Sequence, residues 1–167
     1  VYARLKTLFR QKSTLPSRDC NTFFLHFFLR RATTFLSTNC KDMIMIGILL
    51  VTHGHLATEM IKAMEHVIGQ QTQIDTVCIE ENDDVEAKRQ EIVEKVKALN
   101  SGAGVCITTD MFGGTPSNLA ISVMQGNQVE VIAGLNLPML IKLVRSRDLP
   151  LEKAAVESAD AARKYIN

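Results

Sequence analysis

After residue 45 the 167-residue chain changes its hydrophobic rhythm several times, and each change marks an element. Ile46–Thr52 is an unbroken apolar run, the pattern of a strand covered on both faces. Leu56, Met60, Ala63, Met64, Val67 and Ile68 then recur at helical spacing, and Gly69 supplies a stop. Ile74–Ile79 reads as a second strand, closed by the acidic turn Glu80–Asp84. Val85, Ile92, Val93, Val96 and Leu99 share one face of the next helical stretch, with Glu and Lys opposite, and Asn100-Ser101-Gly102 ends it. A third strand covers Gly104–Thr109. Thr115-Pro116 then opens a helix over Pro116–Met124, with Thr as cap, Pro in the first turn and Gly126 as the stop. Val129–Ala133 is a fourth strand, Leu137–Val144 a short helix, and a final helix runs from about Pro150 to Ile166. This alternation predicts an α/β fold: a doubly wound, mainly parallel four-stranded sheet with helices on both faces and right-handed crossovers.

Two loops stand out against that frame. Thr52-His53-Gly54 follows the first strand, and Asp110-Met111-Phe112-Gly113-Gly114-Thr115-Pro116 follows the third. Each opens directly into a helix. Loops that leave the C-terminal ends of parallel strands gather on one edge, where such sheets bind ligands. A histidine is thereby placed beside an aspartate, with a glycine-rich turn and a helix N-terminus that favours anions.

The chemistry of that set suits a histidine that carries a phosphoryl group. A carboxylate at Asp110 that accepts one ring N–H of His53 would fix its tautomer and leave the other nitrogen as nucleophile. Gly54, lacking a side chain, permits close approach of a phosphate or partner. Gly113, Gly114 and Thr115 offer backbone N–H groups and a hydroxyl to phosphoryl oxygens. Read singly, His53 could be a packed or capping residue and Asp110 a turn residue. His55 fits an exposed first-turn position or a partner contact, and Phe112 a partly exposed aromatic that contacts a partner. His66 and His26 have no companion groups, while Met60, Met64 and Met124 fit helix core positions.

Composition narrows the classes. The chain is 46% hydrophobic and 22% charged, the balance of a folded protein. Its net charge of +1 hides two unlike segments, since residues 1–42 hold eight of the nineteen basic residues but only two of the eighteen acidic ones. The remainder is acidic, which argues against nucleic-acid binding. Cys20, Cys40, Cys78 and Cys106 show no metal spacing and read as reduced thiols of a cytoplasmic protein. Glu80, Glu81, Asp83 and Asp84 lack the spacing of a calcium loop and read as a solvated turn. No metal ligand set is evident. Residues 1–42 hold six of the seven Phe residues and no periodic pattern, and their apolar cluster Phe23–Leu29 is too short to cross a bilayer. They are expected to lie outside the native fold, as an upstream extension of the reading frame rather than a targeting segment, with the domain at 43–167.

The segments Ile46–Gly54 and Asp110-Met111-Phe112-Gly113-Gly114-Thr115-Pro116-Ser117-Asn118 resemble the two signature segments of the enzyme IIA domain of the mannose (type 4) branch of the bacterial phosphoenolpyruvate-dependent sugar phosphotransferase system. A third stretch, Glu130–Leu140, is similar to the same family, and the resemblance covers about residues 45–166. It implies a homodimeric, cytoplasmic phosphoryl relay that needs no cofactor or metal. His53 would accept a phosphoryl group from the phosphocarrier HPr and pass it to enzyme IIB, with the membrane IIC and IID components downstream. Asp110 would orient His53, and Gly114 and Thr115 would lie where the phosphate is held. Some members continue past the last helix into a swapped strand and a fused IIB domain; here IIB is expected to be a separate protein. A regulatory module that reports phosphorylation state is the alternative. A phosphohistidine hydrolase is less well matched, because no arginine cluster accompanies Thr52-His53-Gly54.

Overall fold

The computed structural model describes residues 44–124 and 128–166. The extension 1–42, with His26, Cys20 and Cys40, and the expected helix stop Gly126 lie outside the described residues. Four strands, β1 (Gly47–His53), β2 (Ile74–Ile79), β3 (Val105–Thr109) and β4 (Val129–Ala133), form one sheet in the order β2-β1-β3-β4. Every pairing in it is parallel. Five helices alternate with them among the described residues: α1 (Leu56–Ile68), α2 (Val85–Leu99), α3 (Thr115–Ser122), α4 (Leu137–Arg145) and α5 (Leu151–Lys164). The predicted α/β class and the strand ranges are observed to within a residue at each end.

Both faces of the sheet are covered, which is why β1 reads as a continuous apolar run. Ile46, Ile48 and Leu50 pack with Ala57 and Met64 of α1 and with Met139, Leu140, Leu143, Ala154 and Ala155 of α4 and α5. Leu49 and Val51 point the other way, into a second cluster with Ile92 and Leu99 of α2 and Leu119 and Ala120 of α3. Strand alternation divides one hydrophobic segment between two cores.

Three details of the periodic reading differ. Helix α1 buries Ala57 and Met64, with Met60, Ile61 and Ile68 packed beside them, while Leu56, Ala63 and Val67 face outward. The helical period holds but the stripe is turned by one position, and at that end of the helix the Ala57 N–H donates to Thr52 Oγ1 at 2.9 Å. Val85 begins α2 exposed rather than on its buried face, since it leads out of the sheet edge. Helix α3 ends at Ser122, and Met124, expected in a core, is exposed beyond it.

The opposite end of the sheet is held by a buried arginine. Arg147 donates from Nε to the Ile46 carbonyl at 2.7 Å and from its two terminal nitrogens to Thr72 and Gln73 at 2.7 and 2.9 Å. Ile46 N–H returns a bond to the Arg147 carbonyl at 3.1 Å. The fork thereby joins the start of β1, the α1–β2 loop and the α4–α5 loop.

Candidate functional site

The strand order creates a crevice. From β1 the chain proceeds to β2 on one side, and β3 lies on the other, so the loops after β1 and β3 diverge around a switch point at the C-terminal edge. His53 is the last residue of β1, and Asp110 directly follows β3. Residues 57 positions apart therefore become neighbours.

Asp110 grips His53 twice with one oxygen. Its Oδ2 accepts from the His53 backbone N–H at 3.0 Å and lies 2.7 Å from His53 Nδ1. A carboxylate can only accept, so Nδ1 carries the proton and Nε2 presents its lone pair. The second oxygen, Oδ1, accepts from the Met111 N–H at 2.9 Å. Burial works to raise the Asp110 pKa, but the hydrogen bonds from His53 and Met111 and the His53 charge outweigh it. They hold the carboxyl below its ordinary 3.8. The His53 side chain is 48% exposed and that of Asp110 14%. The imidazole is reachable, and the carboxylate that holds it is largely covered.

Gly114 sets the distance on the other side of the ring. A Cβ there would stand 2.8 Å from His53 Cε1 and 3.2 Å from Nε2, closer than real Cβ contacts come. The Cε1–Nε2 edge of the imidazole thus lies directly against the backbone that begins α3. Gly54 adopts φ +50°, a left-handed turn that side chains disfavour, and nothing stands within 4 Å of where its Cβ would be. Its N–H donates to the Ile79 carbonyl at 2.8 Å, which fastens the loop to the end of β2.

The N-terminus of α3 is arranged differently from the sequence expectation. Thr115 is not its cap; Gly114 occupies that position with extended backbone, and Thr115 and Pro116 form the first turn. Ser117 is the latch instead. Its Oγ accepts from the Gly113 N–H at 2.9 Å and donates to the Gly114 carbonyl at 3.0 Å. The Gly113 N–H is thereby occupied, whereas Thr115, at the first helical position, has no intrahelical acceptor for its N–H. Thr115 also lines a cavity of about 540 Å³ beside His53 and Gly54.

That cavity brings in residues read from sequence only as a solvated turn. Glu80, Glu81, Asp83 and Val85 line it together with Ile79. They belong to the site because β2 lies beside β1 and ends at the same edge, a neighbour relation that no local pattern encodes. His55 is exposed at the start of α1, with Nε2 3.4 Å from Glu80 Oε1. Phe112 stands out from the surface at 77% exposure. Among the described residues no cluster of His, Cys, Asp and Glu is arranged to hold a metal, and no helix is long and apolar enough to cross a membrane.

A histidine is thus held on a strand terminus by an aspartate, against a helix N-terminus, at the C-terminal edge of a doubly wound α/β fold. The chain belongs to the PTS system fructose IIA component family, whose model matches residues 47–160. It is similar to the PTS system mannose-specific EIIAB component of Escherichia coli K12, at 30% identity over 104 residues. That match covers 62% of this chain and 32% of the relative, so the chain spans about a third of that relative's length. Among solved structures, a putative phosphoenolpyruvate-dependent sugar phosphotransferase system permease from Klebsiella pneumoniae is 26% identical with a TM-score of 0.65, over 75% of this chain and 92% of that one. The phosphotransferase system component EIIA of Streptococcus agalactiae, at 23% identity and a TM-score of 0.67, shares the fold over 74% of this chain and 96% of that one.

Proposed function

We propose that His53 is the phosphoryl acceptor of a sugar phosphotransferase relay, taking the group from phospho-HPr and handing it to an enzyme IIB component. The observation that carries this reading is the Asp110–His53 pair. It fixes the proton on Nδ1 and leaves the Nε2 lone pair free, on a ring that lines the same cavity as Thr115.

In the transfer, His53 Nε2 approaches phosphorus as the donor's N–P bond breaks, and the donor nitrogen keeps the electron pair. The ring gains positive charge, which the Asp110 carboxylate stabilises through Nδ1–H. The Thr115 N–H and hydroxyl, with the Gly114 backbone, stand where phosphoryl oxygens would sit. Return of the group to a second partner reverses these changes. Little covalent work falls to the protein, whose contribution is position and charge. Gly54 keeps the approach open, and His55 and Phe112 are partner contacts on its rim.

In this reading the chain acts in the cytoplasm, upstream of the membrane IIC and IID components. A homodimer is part of the same reading, and the open edge of β4 beside a groove lined by Val131, Val156 and Ile166 supports it.

The test is incubation of the full chain with phosphoenolpyruvate, enzyme I and HPr, followed by intact mass and site mapping under alkaline conditions. One acid-labile phosphate on His53 is the expected result. A folded chain without phosphate, or with phosphate elsewhere, overturns the assignment.

A further inference from the structure

The His53 ring is bounded on two sides, and the two sides are secured differently. At Nδ1 stands Asp110, whose other oxygen is anchored by the Met111 N–H. At the Cε1–Nε2 edge stands the Gly114 backbone, so close that the Gly114 Hα pointing where a Cβ would be lies against the ring. The loop between these two arms has little to hold it. Met111, Phe112 and Gly113 are exposed, and Gly113 adopts φ +87° with nothing within 4 Å of where its Cβ would be. Two consecutive glycines lose more conformational freedom on ordering than other residues do. A further contact is needed if Gly114 is to stay against His53.

Ser117 supplies it from inside the fold. The residue is fully buried and is the third of α3. Its hydroxyl uses both of its capacities, accepting from the Gly113 N–H at 2.9 Å and donating to the Gly114 carbonyl at 3.0 Å. That carbonyl also accepts from the Asn118 N–H at 3.0 Å, the first regular bond of the helix. A side chain at the third helical position often reaches back to a free N–H ahead of the helix. Here the serine reaches the residue before the cap and returns its proton to the carbonyl of the cap itself. The Gly113–Gly114 turn is thereby closed onto the first turn of α3. With the Gly113 N–H taken, and no N–H on Pro116, Thr115 carries the first free N–H of the helix.

Resting on the reading of His53 as phosphoryl acceptor, we propose that Ser117 is a positioning residue for the transfer, whose hydroxyl holds Gly114 against the His53 ring and the Thr115 N–H in a fixed place beside it. Asp110 sets the tautomer, and a hydrogen bond at Nδ1 alone leaves the ring able to tilt about that contact. The Gly114 backbone removes the tilt, which matters because transfer needs Nε2 in line with the bond that breaks. Ser117 acts only through this backbone, since its burial keeps it from any partner. Its part in stability is small by the same geometry. Without the hydroxyl, the exposed Gly113 can give its N–H to water, and the Gly114 carbonyl keeps the Asn118 N–H.

The experiment is single-turnover phosphorylation of the full chain over a range of phospho-HPr concentrations, for wild type, Ser117→Ala and Ser117→Cys. Cysteine keeps the volume but is a weak donor and acceptor. It is paired with two NMR readings, the nuclear Overhauser contact between His53 Hε1 and Gly114 Hα and the exchange rate of the Gly113 amide. Ser117→Ala is expected to lower the saturated transfer rate by about tenfold at an unchanged half-saturating concentration, with Ser117→Cys in between. The ring-to-backbone contact should weaken and the Gly113 amide exchange faster, while Tm moves by a few degrees at most. A Ser117→Ala rate equal to wild type overturns the proposal and leaves His53 as acceptor. So does a slowed rate with the ring contact intact, or a loss confined to the half-saturating concentration. Should Ser117→Ala fail to fold, Ser117→Cys decides in its place, and a wild-type rate there overturns the positioning role. Absence of phosphate on wild type takes down both readings together.

Discussion

Asp110 Oδ2 binds both the backbone N–H and the ring Nδ1 of His53, at 3.0 and 2.7 Å. One atom thus fixes where the residue sits and which way its ring turns. In the proposed transfer, the acceptor's tautomer and direction are then set before any partner arrives, which settles part of the entropic cost in advance.

Replacing Asp110 by Asn keeps the shape but offers an amide where two N–H donors converge. The His53 tautomer is then no longer imposed, and the ring charge developed in transfer loses its counter-ion. Phosphoryl acceptance should fall by about 100-fold, with a smaller effect on the affinity for HPr. Single-turnover rates against HPr concentration check this, and an unchanged rate would show that the pair does not orient the reaction.

The same carboxyl makes stability depend on pH in a defined direction. Its pKa in the fold lies below the ordinary 3.8, so the folded protein holds the ionised form more strongly than the unfolded chain does. The stabilisation is complete above the unfolded value and is lost as pH falls through the lower folded one. The Tm difference between wild type and Asp110→Asn should therefore shrink as pH falls below about pH 4. Thermal melts across that range would sink the idea if the gap widened in acid.

Gly114→Ala introduces a Cβ 2.8 Å from His53 Cε1. The backbone there is extended at φ −88°, so alanine fits the chain itself and the cost falls on the imidazole. Transfer should drop by about tenfold or more, while stability changes by about 1 kcal/mol or less. Paired rate and melting measurements separate the two, and a normal rate would mean the ring moves aside freely.

Arg147→Met would remove the fork that serves three carbonyls and leave those of Ile46, Thr72 and Gln73 short of a donor. The arginine is 7% exposed, and burial alone lowers its pKa to about 10. Only the Ile46 carbonyl is buried, while Thr72 is exposed and the Gln73 carbonyl keeps the Ile48 N–H, so a loss of about 1–3 kcal/mol is expected. Lysine, lacking the planar fork, should restore only part of it. Urea unfolding gives the number, and a loss under about 1 kcal/mol would show that water replaces the guanidinium.

The strands and helices were legible because their signals are local. A run such as Ile46–Thr52 has to be covered on both faces wherever it is placed, and Gly69 or Pro116 punctuates a helix through its own backbone. The orientation of α1 was less legible, since Leu56 and Ala57 differ by only one position and the buried face is the one that packs on the core shared with α4 and α5. The roles at the start of α3 were misassigned for a similar reason. Thr115 and Ser117 are both hydroxyl residues near a helix start, and only the folded loop shows that Ser117 closes on Gly113 and Gly114.

By itself the sequence determined the parts: a histidine and an aspartate at the ends of two apolar strands, a glycine-rich turn, and an α/β alternation. These follow from periodicity and turn chemistry, which act over a few residues. The tertiary structure alone decided that β2 lies beside β1, bringing Glu80 and Glu81 to the cavity next to His53. It also decided that Arg147 reaches Ile46 across 101 positions. Such contacts are made through space, by strand order and by the need to satisfy buried carbonyls, and no stretch of local pattern contains them.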